Sequence, residues 1–258
     1  MVNRPDSTSK EIRHVADLIR GSKKGVVLTG AGISTPSGIP DFRSPNSGLW
    51  ERYDPMDVAS LSAFRYHPET FFNWMLPLAI GIHNAEPNPA HNALVRLEQA
   101  GYMQTVITQN IDRLHQRAGS KSVLEVHGSL ESLTCIFCFQ QVDSCGYLEP
   151  YIENGRIPRC PKCDNILKPN VILFGEQLPS RTWQLALQAS KQCDLMIVAG
   201  SSLEVLPVAG LPMRALESGA PLIILNNANT YLDERADVVC CEDLAITLPR
   251  IAAEVLKD

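Results

Sequence analysis

Two cysteine pairs carry the plainest chemistry in this chain: Cys135-Ile-Phe-Cys138 and Cys160-Pro-Lys-Cys163, about twenty residues apart. C-x-x-C knuckles at that separation offer four thiolates to one tetrahedral ion, the spacing of a zinc ribbon. Four protein ligands leave no position for water, so such a metal is structural. Two disulfides, or a redox-active C-x-x-C pair, are the competing readings. Cys145, between the pairs, is a bystander thiol or an alternative ligand, the bystander being favoured; Cys193, Cys240 and Cys241 lie near apolar strands and read as core thiols.

A second stretch, GAGISTPSGIPDFR from Gly30 to Arg43, follows the apolar run Gly25 to Thr29. Gly30 and Gly32 allow a tight turn and let backbone N–H groups approach an anion. This is not the dinucleotide fingerprint G-x-G-x-x-G, because Thr35 and Pro36 stand where the third glycine would begin a helix. Asp41, Phe42 and Arg43 bring an acid, an aromatic face and a guanidinium into the same loop. A nucleotide-binding loop is the favoured reading, a structural turn the alternative. Of the six histidines, only His127 ends an apolar run and precedes a glycine. There it can serve as a general base near neutral pH, or as a structural histidine; residue type alone does not choose. His14, His67, His83, His91 and His115 read as surface or core residues.

The elements that must position these groups alternate. Thr8 and Glu11 form a capping box before a helix that Gly21 stops, and Gly25 to Thr29 is a buried strand. The proline-rich residues 44–89 read as short helices. A helix opens at Pro89 and ends by Gly101; strands follow at Thr105 to Thr108 and Val123 to Val126. Beyond the cysteines come a strand at Asn170 to Phe174, a helix at Ser180 to Gln192 and a strand at Leu195 to Ala199. A helix from Pro207 to Ser218, strands at Pro221 to Leu225 and Val238 to Cys241, and a final helix towards Val255 complete the chain.

Alternation of this kind predicts an α/β fold: a Rossmann-like parallel sheet covered on both faces, with a smaller zinc-ribbon and helical insert module. The expected domains are a discontinuous Rossmann-like nucleotide-binding domain (1–43, 90–134 and 164–258), a helical insert with the cofactor loop (44–89) and a zinc ribbon (135–163). Gly30 onward, Gln109 to Asp112, Gly200 to Ser202 and Asn226 all stand at strand ends, where ligands of such sheets bind, so one shared cleft is expected.

With 45% hydrophobic and 20% charged residues, the chain has the composition of an ordinary globular protein. Its net charge of -5 offers no bulk attraction to nucleic acid or anionic membrane. No apolar run spans a bilayer, the N-terminal MVNRPDSTSKE lacks a secretory core, and eight cysteines without such a signal suit reduced thiols. The expectation is a cytoplasmic protein without direct nucleic-acid or membrane partners.

The motifs resemble those of the sirtuins, the NAD-dependent protein lysine deacylases. GAGIS at Gly30 to Ser34, GIPDFR at Gly38 to Arg43, TQNID at Thr108 to Asp112, His127-Gly128-Ser129, the cysteine pairs, VILFGE at Val171 to Glu176, Gly200-Ser201-Ser202 and Asn226 all stand as in that family. The resemblance implies NAD as co-substrate and one structural zinc on Cys135, Cys138, Cys160 and Cys163. It implies that Gly30, Ala31, Gly32, Ser34, Thr35, Asp41, Phe42 and Arg43 hold NAD together with Gln109, Asn110, Ile111, Asp112 and His127, and that Gly200, Ser201, Ser202 and Asn226 take the phosphates and adenosine ribose. Asp243 and Leu244 are the adenine contacts it suggests. Val171, Phe174, Gly175 and Glu176 would pair with an extended acetyl-lysine peptide by strand addition. His127 and Asn110 become the catalytic residues: the acyl oxygen attacks the ribose as nicotinamide leaves, and His127 then takes a ribose hydroxyl proton.

Family members that prefer acidic acyl groups carry a Tyr and an Arg where this chain has Met75 and Leu78. Acetyl and longer apolar groups are therefore expected, and succinyl is not. A mono-ADP-ribosyltransferase is the nearest rival. A dehydrogenase lacks support from the missing third glycine, and a non-catalytic zinc-ribbon module leaves Gly30 to Arg43 unexplained.

Overall fold

The computed structural model describes residues 8–44, 46 and 48–257. The absence of a secretory core at residues 1–7, and Pro45 of the proline-rich stretch, are readings that lie outside the described residues. In chain order, α1 (Ser9–Gly21) precedes β1 (Gly25–Thr29), and three helices follow: α2 (Pro55–Val58), α3 (Leu61–Tyr66) and α4 (Pro68–Asn84). Next come α5 (Pro89–Gln99), β2 (Met103–Thr108), α6 (Leu114–Ala118) and β3 (Val123–Glu125). Then the chain forms β4 (Gly128–Cys135), β5 (Gln141–Asp143), α7 (Cys145–Asn154) and β6 (Leu167–Val171). It ends through α8 (Ser180–Gln192), β7 (Leu195–Ala199), α9 (Leu211–Glu217), β8 (Leu222–Leu225), β9 (Val238–Cys240) and α10 (Leu244–Val255).

These elements form two compact units. The first comprises Met1–Ser37, Glu86–Val126 and Ser180–Asp258. Its six strands pair in the order β3-β2-β1-β7-β8-β9, all parallel. Counted within this unit alone, that order is 3-2-1-4-5-6, the doubly wound dinucleotide arrangement, with its reversal between β1 and β7. Every residue of β1, β7 and β8 is buried, which is why these strands read as unbroken apolar runs. Val27, Ile197 and Ile223 share one core cluster with Ile12, Val15 and Ile19 of α1, Leu94 and Leu97 of α5, and Leu248 and Ile251 of α10. The capping box starting α1 is present as expected, Thr8 Oγ1 accepting from the Glu11 N–H at 3.2 Å.

The second unit comprises Gly38–Ala85 and His127–Pro179. Its sheet is antiparallel, in the order β5-β4-β6. Aromatic rings fill the helical part: Phe64, Phe71 and Phe72 contact one another edge-on or tilted, and Tyr151 of α7 packs on Phe72 and donates its hydroxyl to the Phe72 carbonyl.

Two expectations require correction. Residues 44–89 are not all short helices, since α4 runs for 17 residues straight through Pro77. Its buried face of Phe71, Phe72, Trp74, Met75, Leu78, Ala79 and Ile82 outweighs the hydrogen bond that proline forfeits. The strand expected at Asn170 to Phe174 is instead β6, three residues earlier (Leu167–Val171), because Leu167 pairs with Cys135 and Val171 with Gly128.

Candidate active site and metal centre

In the first unit, the ends of β1 and β7 are joined backbone to backbone. Gly30 N–H donates to the Ala199 carbonyl at 3.2 Å and Gly32 N–H to that of Gly200 at 2.9 Å. A Cβ on Gly30 would stand 2.7 Å from the Gly200 oxygen, one on Gly32 2.8 Å from the Gly200 Cα, and one on Gly200 2.4 Å from the Ile33 nitrogen. The glycines are therefore required, above all, for two loops to touch at the sheet's switch point. Gly200 also adopts φ of +67°.

Around this junction the polar residues expected for a dinucleotide converge. Ser34 Oγ donates to Asp112 Oδ2 at 2.6 Å and accepts from Asn110 Nδ2 at 3.1 Å. Asn110 Nδ2 also reaches the Gly30 carbonyl at 3.1 Å. Burial pushes the Asp112 carboxyl above its ordinary pKa, against the lowering effect of the Ser34 hydroxyl and the Leu114 N–H. Gln109 Nε2 donates to Ser201 Oγ at 2.9 Å, tying the β2 loop to the β7 loop. Thr35 Oγ1 donates to the Gly32 carbonyl, while Ala31, Ile111 and Ser202 are partly exposed in the same loops. Asn226 follows β8, its N–H on the Cys240 carbonyl and its Nδ2 on that of Ala228. Asp243 caps α10 through the Ala245 N–H at 2.8 Å, and Leu244 is in the core.

Beneath Asn110 lies a support that residue types did not announce. Asn110 N–H donates to Thr108 Oγ1 (3.1 Å), Thr29 Oγ1 donates to Thr108 Oγ1 (2.8 Å), and His115 Nε2 lies 2.9 Å from Thr29 Oγ1. The Thr29 proton is committed to Thr108, so His115 carries its proton on Nε2. Its ring meets that of His91 edge-on at 4.9 Å, and both histidines are fully buried. His91 Nδ1 accepts from the Asn88 N–H at 3.4 Å, which puts its proton on Nε2. Asn88 in turn donates to the Ile33 carbonyl and Ser37 Oγ, so the pair also braces the glycine loop. Two threonines ending neighbouring strands in register, Thr29 opposite Thr108, were the available signal.

In the second unit, Asp41 Oδ1 accepts from the N–H groups of Arg43 (2.9 Å) and Ser44 (2.7 Å), so this carboxylate shapes its own turn. The Phe42 ring lies 5.0 Å from Trp50, which stacks on Trp74 at 5.7 Å and meets Phe174 at 6.1 Å. His127 occupies the turn between β3 and β4, half-buried, its carbonyl accepting from Ile172 N–H at 2.8 Å. Gly128 adopts φ of +75°, and a Cβ there would lie 2.0 Å from the Asn170 oxygen. Only glycine can follow this histidine.

The four cysteines meet at the far end of the same small sheet. Their Sγ atoms all lie within 4.8 Å of one another, with Cys135–Cys163 and Cys138–Cys160 at 3.5 Å. Four thiolates on zinc at about 2.3 Å would stand about 3.8 Å apart, so the cluster fits that ion with little adjustment, and these separations exceed a disulfide's about 2 Å. Cys145 is exposed and outside the cluster; Cys193 and Cys240 are buried. β4 runs from Gly128 to Cys135, so metal and histidine neighbour share one strand. Stripping the metal with a chelator should therefore abolish activity as well as lower the unfolding temperature. Retained activity in metal-free protein, checked by elemental analysis, would show that β4 holds without it.

A parallel sheet in this strand order, with glycine loops at its switch point and a four-cysteine module in the same chain, defines an α/β dinucleotide-binding protein with a structural metal site. Residues 30–207 match the Sir2 family model. The chain is 47% identical over 248 residues to the NAD-dependent protein deacylase 2 of Archaeoglobus fulgidus, covering 96% of this chain and 97% of that one. It is also similar to a solved Sir2 structure with deacetylated p53 peptide and 3'-O-acetyl ADP ribose (TM-score 0.89, 40% identity, 95% and 98% covered). Another, bound to a myristoylated histone peptide, has a TM-score of 0.82 at 41% identity (96% and 97% covered). The chain belongs to the Sir2 family.

Proposed function

We propose that this protein is an NAD-dependent protein lysine deacetylase, transferring the acetyl group of acetyl-lysine to ADP-ribose with release of nicotinamide. The carrying observation is the Ser34, Asn110 and Asp112 hub around the glycine loop, found in a Sir2 chain. When bound, NAD supplies the ribose carbon that nicotinamide leaves and that the acyl oxygen attacks. Gly30, Ala31, Gly32 and Thr35 would hold the pyrophosphate, with Gly200, Ser201, Ser202 and Asn226 at the adenosine end. Asn110, buried and bonded on both sides, would present one fixed amide to the ribose, and Asp112 with Gln109 and Ile111 would orient the nicotinamide end. Phe42 would shield the reactive face from water, Arg43 and Asp41 would order their loop, and His127 would take the proton from a ribose hydroxyl. Zinc on the four cysteines would supply rigidity alone.

Among the described residues no helix is long and apolar enough to cross a membrane. A cytoplasmic location is our reading, supported by eight free cysteines, which suit a reducing compartment.

The test is mass spectrometry of an acetyl-lysine peptide with and without NAD. NAD-dependent loss of acetyl with one nicotinamide per turnover is expected; ADP-ribose appearing on protein without loss of acetyl would move the reading to the transferase. Met75 and Leu78 lie buried one turn apart on α4, with no charge to meet an acidic acyl chain. Succinyl-lysine should therefore react at least about tenfold more slowly than acetyl-lysine. Comparable kcat/KM for the two would sink that assignment.

A further inference from the structure

Lys168 is a lysine where a lysine is costly: it is only 7% exposed within the second unit. Its ammonium donates to the carbonyls of Pro169 (3.0 Å) and Val171 (2.7 Å) and forms an ion pair with Glu176 Oε2 at 3.0 Å. The same Glu176 oxygen accepts the Leu173 N–H at 2.8 Å. Burial draws the lysine's pKa down while the Glu176 carboxylate opposes the change. The pair thus closes a loop on itself, from the end of β6 to Glu176.

Accounting for the loop's backbone shows what is left for a ligand. Ile172 N–H goes to the His127 carbonyl, Phe174 N–H to that of Ala59, and the Phe174 carbonyl accepts from Leu61 N–H. Glu176 N–H returns to Leu173. Val171 and Phe174 have therefore spent backbone groups within the unit, and Phe174 offers chiefly its ring, 37% exposed. Gly175, at φ of +86°, has no hydrogen bond from its N–H or carbonyl to any described residue. The edge available for strand addition begins there.

We propose that Lys168 and Glu176 are positioning residues for the substrate: their buried ion pair holds residues 171–176 so that the Gly175 edge is preformed for an extended acyl-lysine peptide. Glu176 turns its carboxylate inward, so it acts through the loop and not on the peptide. A glycine turn has no side chain to pack, and two opposite charges tied to backbone groups supply the missing constraint. Without them, the peptide must order its own docking edge, which weakens peptide binding and leaves NAD binding untouched. This inference rests on the deacylase reading for the identity of the ligand.

The experiment compares the full chain with Lys168→Met, Glu176→Gln and the double variant, which leaves no unpaired buried charge. Steady-state kinetics with an acetyl-lysine peptide should show peptide KM raised about tenfold or more in each variant, with NAD KM and kcat within about twofold. The double variant should be no worse than either single, since the two act as one device. Hydrogen exchange of residues 171–176, read by mass spectrometry, should quicken in all three. An unchanged peptide KM in the double variant, peptide and NAD KM rising together, or loss of cooperative unfolding in the double variant would overturn the proposal. If the wild type shows no NAD-dependent deacetylation, the activity reading fails, and exchange at 171–176 still decides whether the clasp exists.

Discussion

His127→Ala should cut acetyl transfer by about 10²–10⁴-fold, the range of a positioned general base, with little change in NAD affinity or unfolding temperature. The structural side of this expectation rests on the main chain. Two of the links of His127 are main-chain ones: its carbonyl, bonded at 2.8 Å to the N–H of Ile172 just past β6, and Gly128, whose lack of a Cβ permits contact with Asn170. Alanine keeps both. The chemical side rests on order: the proposed proton transfer follows departure of nicotinamide, so the earlier step does not need the imidazole. Exchange of labelled nicotinamide into NAD, in the presence of acetyl peptide, should survive in the variant while net deacetylation fails. Equal loss of both, with NAD still bound, would assign His127 to the first step or to the scaffold.

How much of this was legible beforehand follows from which interactions are local. β1, α8 and β7 lie where the residues place them, because a strand buried on both faces must read as an apolar run and Gly21 and Gly30 mark the breaks. The cysteine cluster was equally plain, since its ligands are paired in sequence. β4 and β5 were not anticipated: Gly128–Cys135 has only two buried residues, Leu133 and Cys135, so its alternation is weak, and its pairing depends on β6 and the metal knuckles. The loop residues of the candidate site stood out as strings at strand ends. Single residues acting across the fold did not. His115 meets Thr29 from 86 positions away, and Lys168 is one lysine among ordinary ones until its burial is known. Even the glycine loop was legible for part of its reason only, since close contact with Gly200 constrains Gly30 and Gly32 before any ligand does.

Acidification from neutral pH should destabilise the first unit already between pH 6.5 and 5, because of His91 and His115. Burial lowers the pKa of His91 to about 4; burial, and then the neighbouring His91, lowers that of His115 to about 3. In the unfolded chain both titrate near the ordinary value of 6.5. The folded state therefore holds both rings neutral where the unfolded state binds protons, so stability is full above about pH 6.5 and falls as pH drops towards 4 and 3. At pH 5 each histidine forfeits up to about 2 kcal/mol, so the pair removes about 4 kcal/mol from a net stability of about 5–15 kcal/mol. Asp112, its pKa raised by burial, works in the opposite sense: from its ordinary 3.8 up to the raised value the folded state binds the proton first, which offsets part of the histidines' loss. Asp194, held down by the Ser22 hydroxyl and the N–H groups of Lys23 and Lys24, adds further loss only at more acidic pH. His115→Gln retains an amide donor for Thr29 and removes one titration, so about half of the slope between pH 6.5 and 5 should vanish. Urea unfolding at pH 7.5, 6 and 5 measures this directly. A wild-type unfolding free energy that changes by less than about 0.5 kcal/mol across that range would mean that the two imidazoles are solvated on opening without taking up protons, and the buried pair would lose its claim to brace Asn110.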